Sequence, residues 1–431
     1  MARNMKDSGI EWIGEIPEGW EVAKLKNIVS IVRGGSPRPI EAYMSGNDND
    51  VNWIRISDTE KGSKYITHTS RKLIASGISK SRFIKRGSLI LTNSMSFGEP
   101  YILDIDGCIH DGWVAFSDFK KIDKEFLYYF LTSPLAKIQF EQQVDGGVVK
   151  NLNIDKIGDT VILLPSLIDQ KKVIAHLDSL TSETNSLLSK TITSIEEYKK
   201  LKQAVITQAV TKGVRGEREM KDSGIEWIGE IPEEWNKCKL KNISIDIGDG
   251  LHGTPKFDDS GEVYFINGNN FSSEYVEPKF DTKKLCLEES LNYPKPELTE
   301  QTIMISLNGS YGKVCLYRYF PMLLGKSAGY ITLLPSINRR YVRYYLSSTP
   351  AQTIMTLSLN GTTIPNLSLN TLHNFPTILP SASEQAEIAD YLDAKCAEID
   401  GLIAKKEQLV KELESYKKSL IYEVVTGKRE V

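Results

Sequence analysis

The feature that most constrains the fold is an internal duplication with a long period. The fourteen residues MKDSGIEWIGEIPE at Met5–Glu18 return letter for letter at Met220–Glu233, 215 residues later. Shorter matches keep this offset: KLKNI at Lys24–Ile28 and Lys239–Ile243, and LPS at Leu164–Ser166 and Leu379–Ser381. This period is far longer than that of a solenoid repeat, so the chain is predicted to contain two copies of one globular module.

Each copy ends in a long predicted helix, at Asp169–Lys212 and Glu384–Thr426. Both helices have apolar residues at alternating spacings of three and four, which is typical of a coiled coil. We expect an antiparallel pair with a pseudo-two-fold axis; the alternative is a helical hairpin packed on its own domain. The predicted seam comprises Val173, Leu177, Leu180, Leu187, Tyr198, Leu201, Val205, Ile388, Leu392, Ile399, Leu402, Leu409, Leu413, Tyr416 and Leu420.

The segments before the helices are predicted to be mostly strands and loops. Residues 30–145 and 245–360 are rich in β-branched and aromatic side chains, interrupted by Gly, Pro, Asn and Asp. The predicted fold class is therefore α+β: two mostly-β domains, at 1–165 and 214–380, joined by long helices within 166–213 and 381–431. The frame of the two copies agrees while these middle segments diverge, which predicts two related sites that bind different targets.

Composition and motifs exclude several classes of protein. The net charge of −3 excludes a globally basic nucleic-acid binder, but not a local basic face. The five cysteines are scattered without a CxxC pair, so neither disulfides nor a zinc site are predicted. No apolar run is long enough for a membrane span and no leader opens the chain, so we expect a cytoplasmic protein.

Catalytic motifs are missing from the sequence. It contains no P-loop, no GxSxG, no HExxH and no amino-methyltransferase motif of Asn or Asp followed by Pro-Pro and an aromatic residue. His110-Asp111 is interpreted as a structural pair. The chain is predicted to be non-catalytic, with no metal or cofactor of its own. The alternative is an enzyme, such as a fused methyltransferase or nuclease fragment.

Three loops and a basic cluster in each copy carry candidate DNA-binding residues. Glycine permits close backbone approach, arginine suits phosphate and guanine, and small polar groups suit base edges. The candidates are Arg33, Ser36, Arg38, Lys80, Arg82, Lys85, Arg86, Asn93, Ser94, Ser96 and Lys150 in the first copy, and His252, Thr254, Lys256, Asn308, Ser310, Tyr311, Thr362 and Thr363 in the second. In this alignment the loop from Asn93 matches the loop from Asn308. The alternatives are a plain hairpin turn for the first loop, a joint into the helix for the third, and solvated surface for the basic clusters.

Several of these motifs together resemble a known family. They are IPEGW at Ile16–Trp20 and IPEEW at Ile231–Trp235, each followed by KLKNI, and the LPS helix starts with Gln at Leu164–Gln170 and Leu379–Gln385. With the domain–helix–domain–helix order, the chain resembles the DNA-specificity subunit of a type I restriction–modification system over essentially its whole length. Asp169 stands where the second copy has Glu384, a mild departure.

The resemblance implies a function and partners. Family members have two target-recognition domains, each reading one half of a bipartite, asymmetric site in double-stranded DNA, and an antiparallel coiled coil that sets the gap. Two methyltransferase subunits, which use S-adenosylmethionine to methylate adenine, and two ATP-driven, Mg-dependent restriction subunits would assemble on this scaffold. Base-contacting residues vary within the family and are not carried over. The alternative hypothesis is a coiled-coil adaptor without DNA affinity of its own.

Overall fold

The computed structural model describes residues 4–11, 13–60, 62–94, 97–143, 152–359 and 365–431. The chain divides into two compact units. Unit 1 comprises Met1–Ile192 and Glu407–Val431, and unit 2 comprises Thr193–Lys406. Each unit thus contains one globular part and a segment of each long helix. The domain boundaries expected from the sequence stay a prediction.

Unit 1 is built mainly from short strands. These are β1 (Met5–Asp7), β2 (Glu15–Pro17), β3 (Glu21–Lys24), β4 (Ser30–Arg33), β5 (Met44–Ser45), β6 (Val51–Ile54), β7 (Tyr65–Ile66), β8 (Lys72–Leu73), β9 (Arg82–Ile84), β10 (Leu89–Thr92), β11 (Pro100–Leu103), β12 (Gly107–Ile109), β13 (Trp113–Ser117) and β14 (Val161–Leu164). Its helices are α1 (Ala75–Ile78), α2 (Lys124–Thr132), α3 (Pro134–Gln143), α4 (Ile154–Asp159) and the first part of α5 (Leu167–Lys212). Two five-stranded sheets have the orders β4-β13-β10-β11-β7 and β5-β8-β6-β12-β9.

Unit 2 repeats this plan. Its strands are β15 (Met220–Asp222), β16 (Glu230–Pro232), β17 (Asn236–Lys239), β18 (Ser244–Asp249), β19 (Val263–Ile266), β20 (Lys284–Leu285), β21 (Thr302–Ser306), β22 (Val314–Leu316), β23 (Met322–Leu324), β24 (Ala328–Leu333) and β25 (Pro376–Leu379). Its helices are α6 (Leu287–Leu291), α7 (Arg339–Ser347), α8 (Thr349–Leu357), α9 (Leu369–His373) and the first part of α10 (Ala382–Val425). The main sheets have the orders β18-β24-β21-β22 and β20-β19-β23.

This element content confirms the predicted α+β class with two mostly-β units. The long helices start two residues earlier than expected. Each ends at a glycine with positive φ, +80° at Gly213 and +70° at Gly427, because that backbone conformation stops a helix and suits glycine. The central strands β10 and β21 are buried at every residue, so they are apolar runs rather than alternating patterns.

The same contacts attach each long helix to its unit. Gln170 at the start of α5 accepts from the backbone N–H of Asp123 at 2.7 Å and donates to the backbone oxygen of Pro165 at 2.9 Å. Gln385 of α10 makes the matching pair of hydrogen bonds, with the backbones of Asn338 and Pro380 at 2.9 Å each. The glutamine in the duplicated helix start therefore fixes the helix to the preceding domain.

A tyrosine–aspartate contact provides a second duplicated attachment. Tyr129 donates to Asp178 Oδ1 at 2.5 Å, and Tyr344, 215 positions later, donates to Asp393 Oδ1 at 2.8 Å. A cation completes each contact, Lys64 in unit 1 and Arg340 in unit 2. The short helices α2 and α7 thus hold the long helices by buried or half-buried polar groups.

The two long helices pack against each other within each unit. In unit 2, Lys202 of α5 lies 2.6 Å from Asp400 of α10, and Lys406 lies over the ring of Tyr198 at 5.6 Å. The α5 positions rise as the α10 positions fall, so the segments are antiparallel. In unit 1, Lys417 donates to Asn185 at 2.7 Å.

The predicted seam is wrong at four of its fifteen residues. In α5 the buried face passes through Leu177, Thr181, Thr184, Thr191 and Ile195, and in α10 through Leu392, Cys396, Ile399, Ile403, Leu420 and Val424. Leu187, Leu201, Leu409 and Tyr416 were predicted in the seam but are exposed. Of the remaining predicted residues, Val173, Leu177, Ile388, Leu392, Ile399 and Leu420 are buried, whereas Leu180, Tyr198, Val205, Leu402 and Leu413 are half-buried.

The shift has a physical cause in α5. Thr181, Thr184 and Thr191 donate their hydroxyls to the backbone oxygens four residues earlier, at 2.6–2.7 Å. A threonine bonded in this way buries its methyl group without an unpaired hydroxyl. Counting apolar residues therefore selects the neighbouring leucines and misses the threonines.

Candidate nucleic-acid interface

In unit 1, polar side chains converge on the turn that joins β12 to β13. These strands belong to different sheets, so residues 110–112 pass from one sheet to the other. β4 ends beside the turn because Arg33 pairs with Val114 of β13. Gly34 follows, and a Cβ added to it would overlap the backbone oxygen of His110. Only glycine fits where the first predicted loop meets the turn.

Asp111, within this turn, holds the candidate residues together. Ser36 donates from Oγ to Asp111 Oδ1 at 2.7 Å, and Arg33 donates from Nε to the backbone oxygen of Asp111 at 3.0 Å. Asn93 Nδ2 donates to the same backbone oxygen at 3.3 Å. Arg38 Nη2 lies 3.8 Å from Asp111 Oδ2. Candidates from the first and second predicted loops thus meet at one residue.

The carboxylate of Asp111 carries a fixed negative charge at neutral pH. Burial raises its pKa, but the hydrogen bond from Ser36 and the guanidinium of Arg33 lower it, and the net pKa lies below the ordinary 3.8. The side chain is 45% exposed, so it is accessible to a ligand.

Basic and small polar residues surround this turn. Arg82 donates from Nε to the backbone oxygen of Arg33 at 3.4 Å, and Ser81 donates from Oγ to that of Gly35 at 2.7 Å. A Cβ added to Gly112 would lie 2.9 Å from Ser94 Oγ. The structure therefore brings together the predicted residues Arg33, Ser36, Arg38, Arg82, Asn93 and Ser94. The backbone of Lys80 lies beside Gly35, but its ammonium lies over the ring of Tyr43 at 5.7 Å.

His110 supports the turn from inside. Its Nδ1 accepts from the backbone N–H of Gly112 at 2.6 Å, and its Nε2 lies 3.3 Å from the backbone nitrogen of Ile56. The ring packs between Trp53 and Trp113. Burial lowers the pKa of His110 below its ordinary 6.5, so the ring is neutral at pH 7. These contacts agree with the structural role predicted for this histidine.

Unit 2 has an equivalent turn with different side chains. Residues 325–327 join β23 to β24, which also belong to different sheets, and β18 ends beside them because Asp249 pairs with Gly329. His252 Nε2 lies 2.7 Å from Asp249 Oδ2, and Asn308 Nδ2 donates to the backbone oxygen of Lys326 at 3.4 Å. The predicted residues His252 and Asn308 therefore lie at this turn.

The charges at the two turns are reversed. Val114 and Gly329 are 215 positions apart, so their cross-strand partners Arg33 and Asp249 occupy equivalent places. Asp111 and Lys326 are also 215 positions apart, each in the turn between the same two strands. The strand end is thus cationic and the turn anionic in unit 1, and the order is opposite in unit 2.

The match of Asn93 with Asn308 in the sequence prediction is wrong by one position. Thr92 pairs with Trp113, and Ser306 pairs with Ala328. Because Trp113 and Ala328 are equivalent, Thr92 corresponds to Ser306, 214 positions later. The backbone counterpart of Asn308 is therefore Ser94 rather than Asn93. A bulge in β18 between Ser244 and Asp246 adds one residue to the second copy. The first predicted loop of unit 2 therefore lies one residue further along the chain than the offset of 215 gives.

The remaining candidates make other contacts. Arg86 pairs with Asp104 at 2.7 Å. Lys85 and Arg86 follow the last residue of β9, whereas Arg82 is its first residue. Thr254 is exposed, and the backbone N–H of Lys256 donates to Glu289. Ser310 and Tyr311 continue the chain after Asn308, and the Tyr311 hydroxyl lies 3.3 Å from Thr356 Oγ1. Ser96, Lys150, Thr362 and Thr363 lie outside the described residues.

Sequence reasoning missed the charged residues that distinguish the turns. Asp111 was interpreted only as the neighbour of His110, and neither Asp249 nor Lys326 was selected. Their signal is an exchange of charge between equivalent positions. The exchange of Asp111 for Lys326 keeps the offset of 215, whereas that of Arg33 for Asp249 becomes visible only when strand pairing is used as the alignment.

Comparison with known families decides what kind of chain this is. Residues 17–197 and 232–412 each match the type I restriction modification DNA specificity domain. The chain belongs to this family. Both copies of the specificity domain contain one of the turns described above.

Relatives of this specificity-domain protein match along nearly its whole length. The type I restriction enzyme MjaVIII specificity subunit of Methanocaldococcus jannaschii is 25% identical over 427 residues, covering 96% of this chain and 93% of the relative. The EcoBI specificity subunit of Escherichia coli is 22% identical, covering 93% and 84%.

Solved structures share the fold of the specificity-domain protein. One, from work on assembly and conformational transition of the type I R-M system, matches with a TM-score of 0.73 at 17% identity, covering 96% of this chain and 99% of that chain. The HsdS subunit of Thermoanaerobacter tengcongensis matches with a TM-score of 0.51 at 17% identity, covering 96% and 98%. Within the described ranges, no helix has the length and apolar character needed to cross a membrane.

Proposed function

We propose that this chain is the DNA-specificity subunit of a cytoplasmic type I restriction–modification complex. Each unit binds one half of a bipartite, asymmetric site in double-stranded DNA. The observation that carries the proposal is the double match to the specificity domain, once in each copy. The reversed charges at equivalent turns support two different targets, since the same backbone offers different groups to each half-site.

The basic residues of unit 1 are suited to DNA although the whole chain is acidic. Arg33, Arg38 and Arg82 lie around one partly exposed turn, and the chain has a net charge of −3. Binding by such a local face depends on phosphate contacts and falls steeply with salt. A full-length chain whose retention on duplex DNA is the same from about 50 to 200 mM salt would instead favour the adaptor hypothesis.

The paired helices set the spacing of the two half-sites in this proposal. Asn185 and Lys417 are in contact, so inserting one heptad after Ser189 in α5 and one at the facing Leu413 in α10 preserves antiparallel pairing. Seven residues add about 10 Å of helix, and three base pairs add about the same length. We expect the recognised gap to grow by about three base pairs. An unchanged gap in a folded double-insertion variant would contradict the spacer role.

The chain itself is the non-catalytic scaffold. Two methyltransferase subunits, which use S-adenosylmethionine to methylate adenine, and two restriction subunits, which use ATP and Mg, supply the chemistry. The identical motif at Met5–Glu18 and Met220–Glu233 supports equivalent contacts with two copies of one partner. Trp227 in the second motif is 48% exposed, beside an apolar cleft lined by Ala204, Thr207 and Pro350. Its counterpart Trp12 lies outside the described residues.

Replacement of both tryptophans tests this partner contact. Trp12→Ala with Trp227→Ala should weaken methyltransferase binding, whereas the same change at the buried Trp235 would test folding instead. Full methyltransferase binding by the folded double variant would reject the contact.

The function itself is tested by co-expression. The full chain and its neighbouring methyltransferase are produced in a methylation-free host, and modified adenines are mapped across the genome. We expect a bipartite motif with a fixed gap that disappears when this chain is omitted. Modified adenines without a motif, or a motif that persists without the chain, would contradict the proposal.

A further inference from the structure

The two turns are fixed in the same way before any ligand binds. In unit 1 the backbone N–H of His110 donates to the backbone oxygen of Ile54 at 3.4 Å, and in unit 2 the equivalent N–H of Gly325 donates to that of Ile266 at 2.8 Å. The backbone N–H of Gly268 also donates to Ser327 Oγ at 3.0 Å. The main chain therefore holds each turn to the neighbouring strand, so the charge it carries is already positioned for binding.

The backbone oxygen of the charged residue is also held in both units. Asn93 donates to that of Asp111 at 3.3 Å, and Asn308 donates to that of Lys326 at 3.4 Å. Because these hydrogen bonds hold the main chain, the side chains of Asp111 and Lys326 project from equivalent positions of the fold. Both are accessible, since Asp111 is partly exposed and Lys326 is exposed.

Equivalent points should meet the same part of a bound duplex. A lysine alone would suit a phosphate, but an ionised aspartate at that place would be repelled by one. Base edges accommodate both charges: a carboxylate accepts from the exocyclic amino group of cytosine, and an ammonium donates to O6 and N7 of guanine. The pair of residues therefore fits a base edge and not the DNA backbone.

We infer that Asp111 and Lys326 are specificity-determining residues, one for each half-site. Asp111 accepts from the N4 amino group of a cytosine in the half-site of unit 1. Lys326 donates to a guanine in the half-site of unit 2. Since cytosine and guanine are paired bases, the two half-sites carry the same base pair in opposite orientations at this position. This inference rests on the proposed function and names the group that each unit recognises.

The test uses the full chain, with the subunits that co-purify, and a library of duplex DNA with random sequence. Bound DNA is sequenced for the wild type, Asp111→Asn and Lys326→Gln. Asp48→Asn and Lys241→Gln are matched controls, because both residues are exposed and lie outside the two turns. The melting temperature of each variant is measured in parallel with the DNA selection.

The expected result is a change confined to one position. Asp111→Asn should reduce the preference for cytosine about tenfold at one position of one half-site, because the ionised carboxylate is the stronger acceptor for the cytosine amino group. Lys326→Gln should do the same for guanine in the other half-site, and the controls should change neither.

Other outcomes separate this inference from the proposed function. A wild-type chain that selects no sequence would overturn the proposed function. A selective wild type with unchanged preference in both variants would overturn only the inference. Equal loss of affinity for all sequences, at unchanged melting temperature, would assign these residues to phosphate contacts and also overturn it. If Asp111→Asn unfolds, Asp111→Glu decides: retained cytosine preference supports the role, and a lost preference in a folded protein contradicts it.

Discussion

The two units keep the same attachment to the long helices but present opposite charges at the recognition turn. Gln170 and Gln385 make the same backbone contacts, and Tyr129 and Tyr344 reach equivalent aspartates. By contrast, Asp111 is replaced by Lys326. The contacts with the long helices are therefore part of the scaffold that both units share. The side chains of the turn can differ between the units, because the backbone and neighbouring side chains hold the shape of the turn.

The largest expected difference between the units lies at the helix start. In unit 2, Glu384 is 1% exposed, accepts from Trp235 Nε1 at 2.9 Å and pairs with Arg218 at 2.6 Å. In unit 1, the carboxylate of the shorter Asp169 instead accepts from the exposed Ser166 hydroxyl, whose oxygen accepts from the Asp169 backbone N–H. Glu384→Ala should cost about 3–5 kcal/mol, since it leaves the buried Trp235 donor unpaired and removes one of the two carboxylate partners of Arg218, the other being Glu234. Asp169→Ala should cost about 1 kcal/mol.

Denaturant unfolding of both variants measures this contrast. Glu387→Ala is the control, because Glu387 also pairs with an arginine, at 2.6 Å from Arg215, but on the surface. Equal losses from Glu384→Ala and Glu387→Ala would show that the buried pair does not distinguish unit 2.

The next prediction tests which face of α5 is buried in unit 2. Ile195 is 7% exposed and Leu201 is 48% exposed, although only Leu201 was predicted in the seam. Ile195→Ala should cost about 2–4 kcal/mol through a buried cavity, and Leu201→Ala about 0.5 kcal/mol. Hydrogen exchange along the helix measures both. A larger loss from Leu201→Ala would restore the predicted seam.

A smaller effect is expected where both units need glycine. Gly34→Ala places a Cβ onto the backbone of His110, and Gly250→Ala onto that of Leu324, so each should cost about 1–3 kcal/mol. Gly35→Ala is the control, because the nearest atom to its added Cβ is 3.7 Å away. Calorimetric melting compares the three. If all three variants melt alike, the close approach of strand end and turn is not common to the units.

The smallest predicted effect is acid sensitivity confined to unit 1. Burial lowers the pKa of His110, and Gly325 stands at the equivalent place in unit 2. As the pH falls below 6.5 the unfolded chain takes up the proton first, so this stabilisation is full above pH 6.5 and is lost toward the lowered pKa. Hydrogen exchange of the β12–β13 turn at pH 7.5 and 5.5 should show the loss in wild type but not in His110→Gln. An equal response of the variant would assign the sensitivity to other groups.

The long helices and the duplication could be predicted because their signals are local and strong. The glycines that stop the helices and the glutamines that start them are visible in the sequence. The buried face of α5 could not be predicted in full. Thr181 and Thr184 can be buried there because their hydroxyls donate to the helix backbone.

The candidate site was predicted only in part for a different reason. Arg33 and Asn93 were found from residue type and loop position. Asp111 was not found, because its position is defined by contacts with residues from three strands, which a single sequence does not reveal. Arg340, one of several basic residues in the second copy, proves to attach α7 to α10.

The discontinuity of unit 1 has a consequence for biosynthesis. Its core contains Val173 and Leu177 together with Leu420, Ile421 and Val424, near the end of the chain. A ribosome adds about 5–20 residues per second, so roughly 12–50 seconds separate the two contributions. The first unit to be synthesised therefore cannot complete its core until the last helix has emerged. We expect nascent chains truncated before residue 407 to depend on chaperones, although most of unit 1 has already been made.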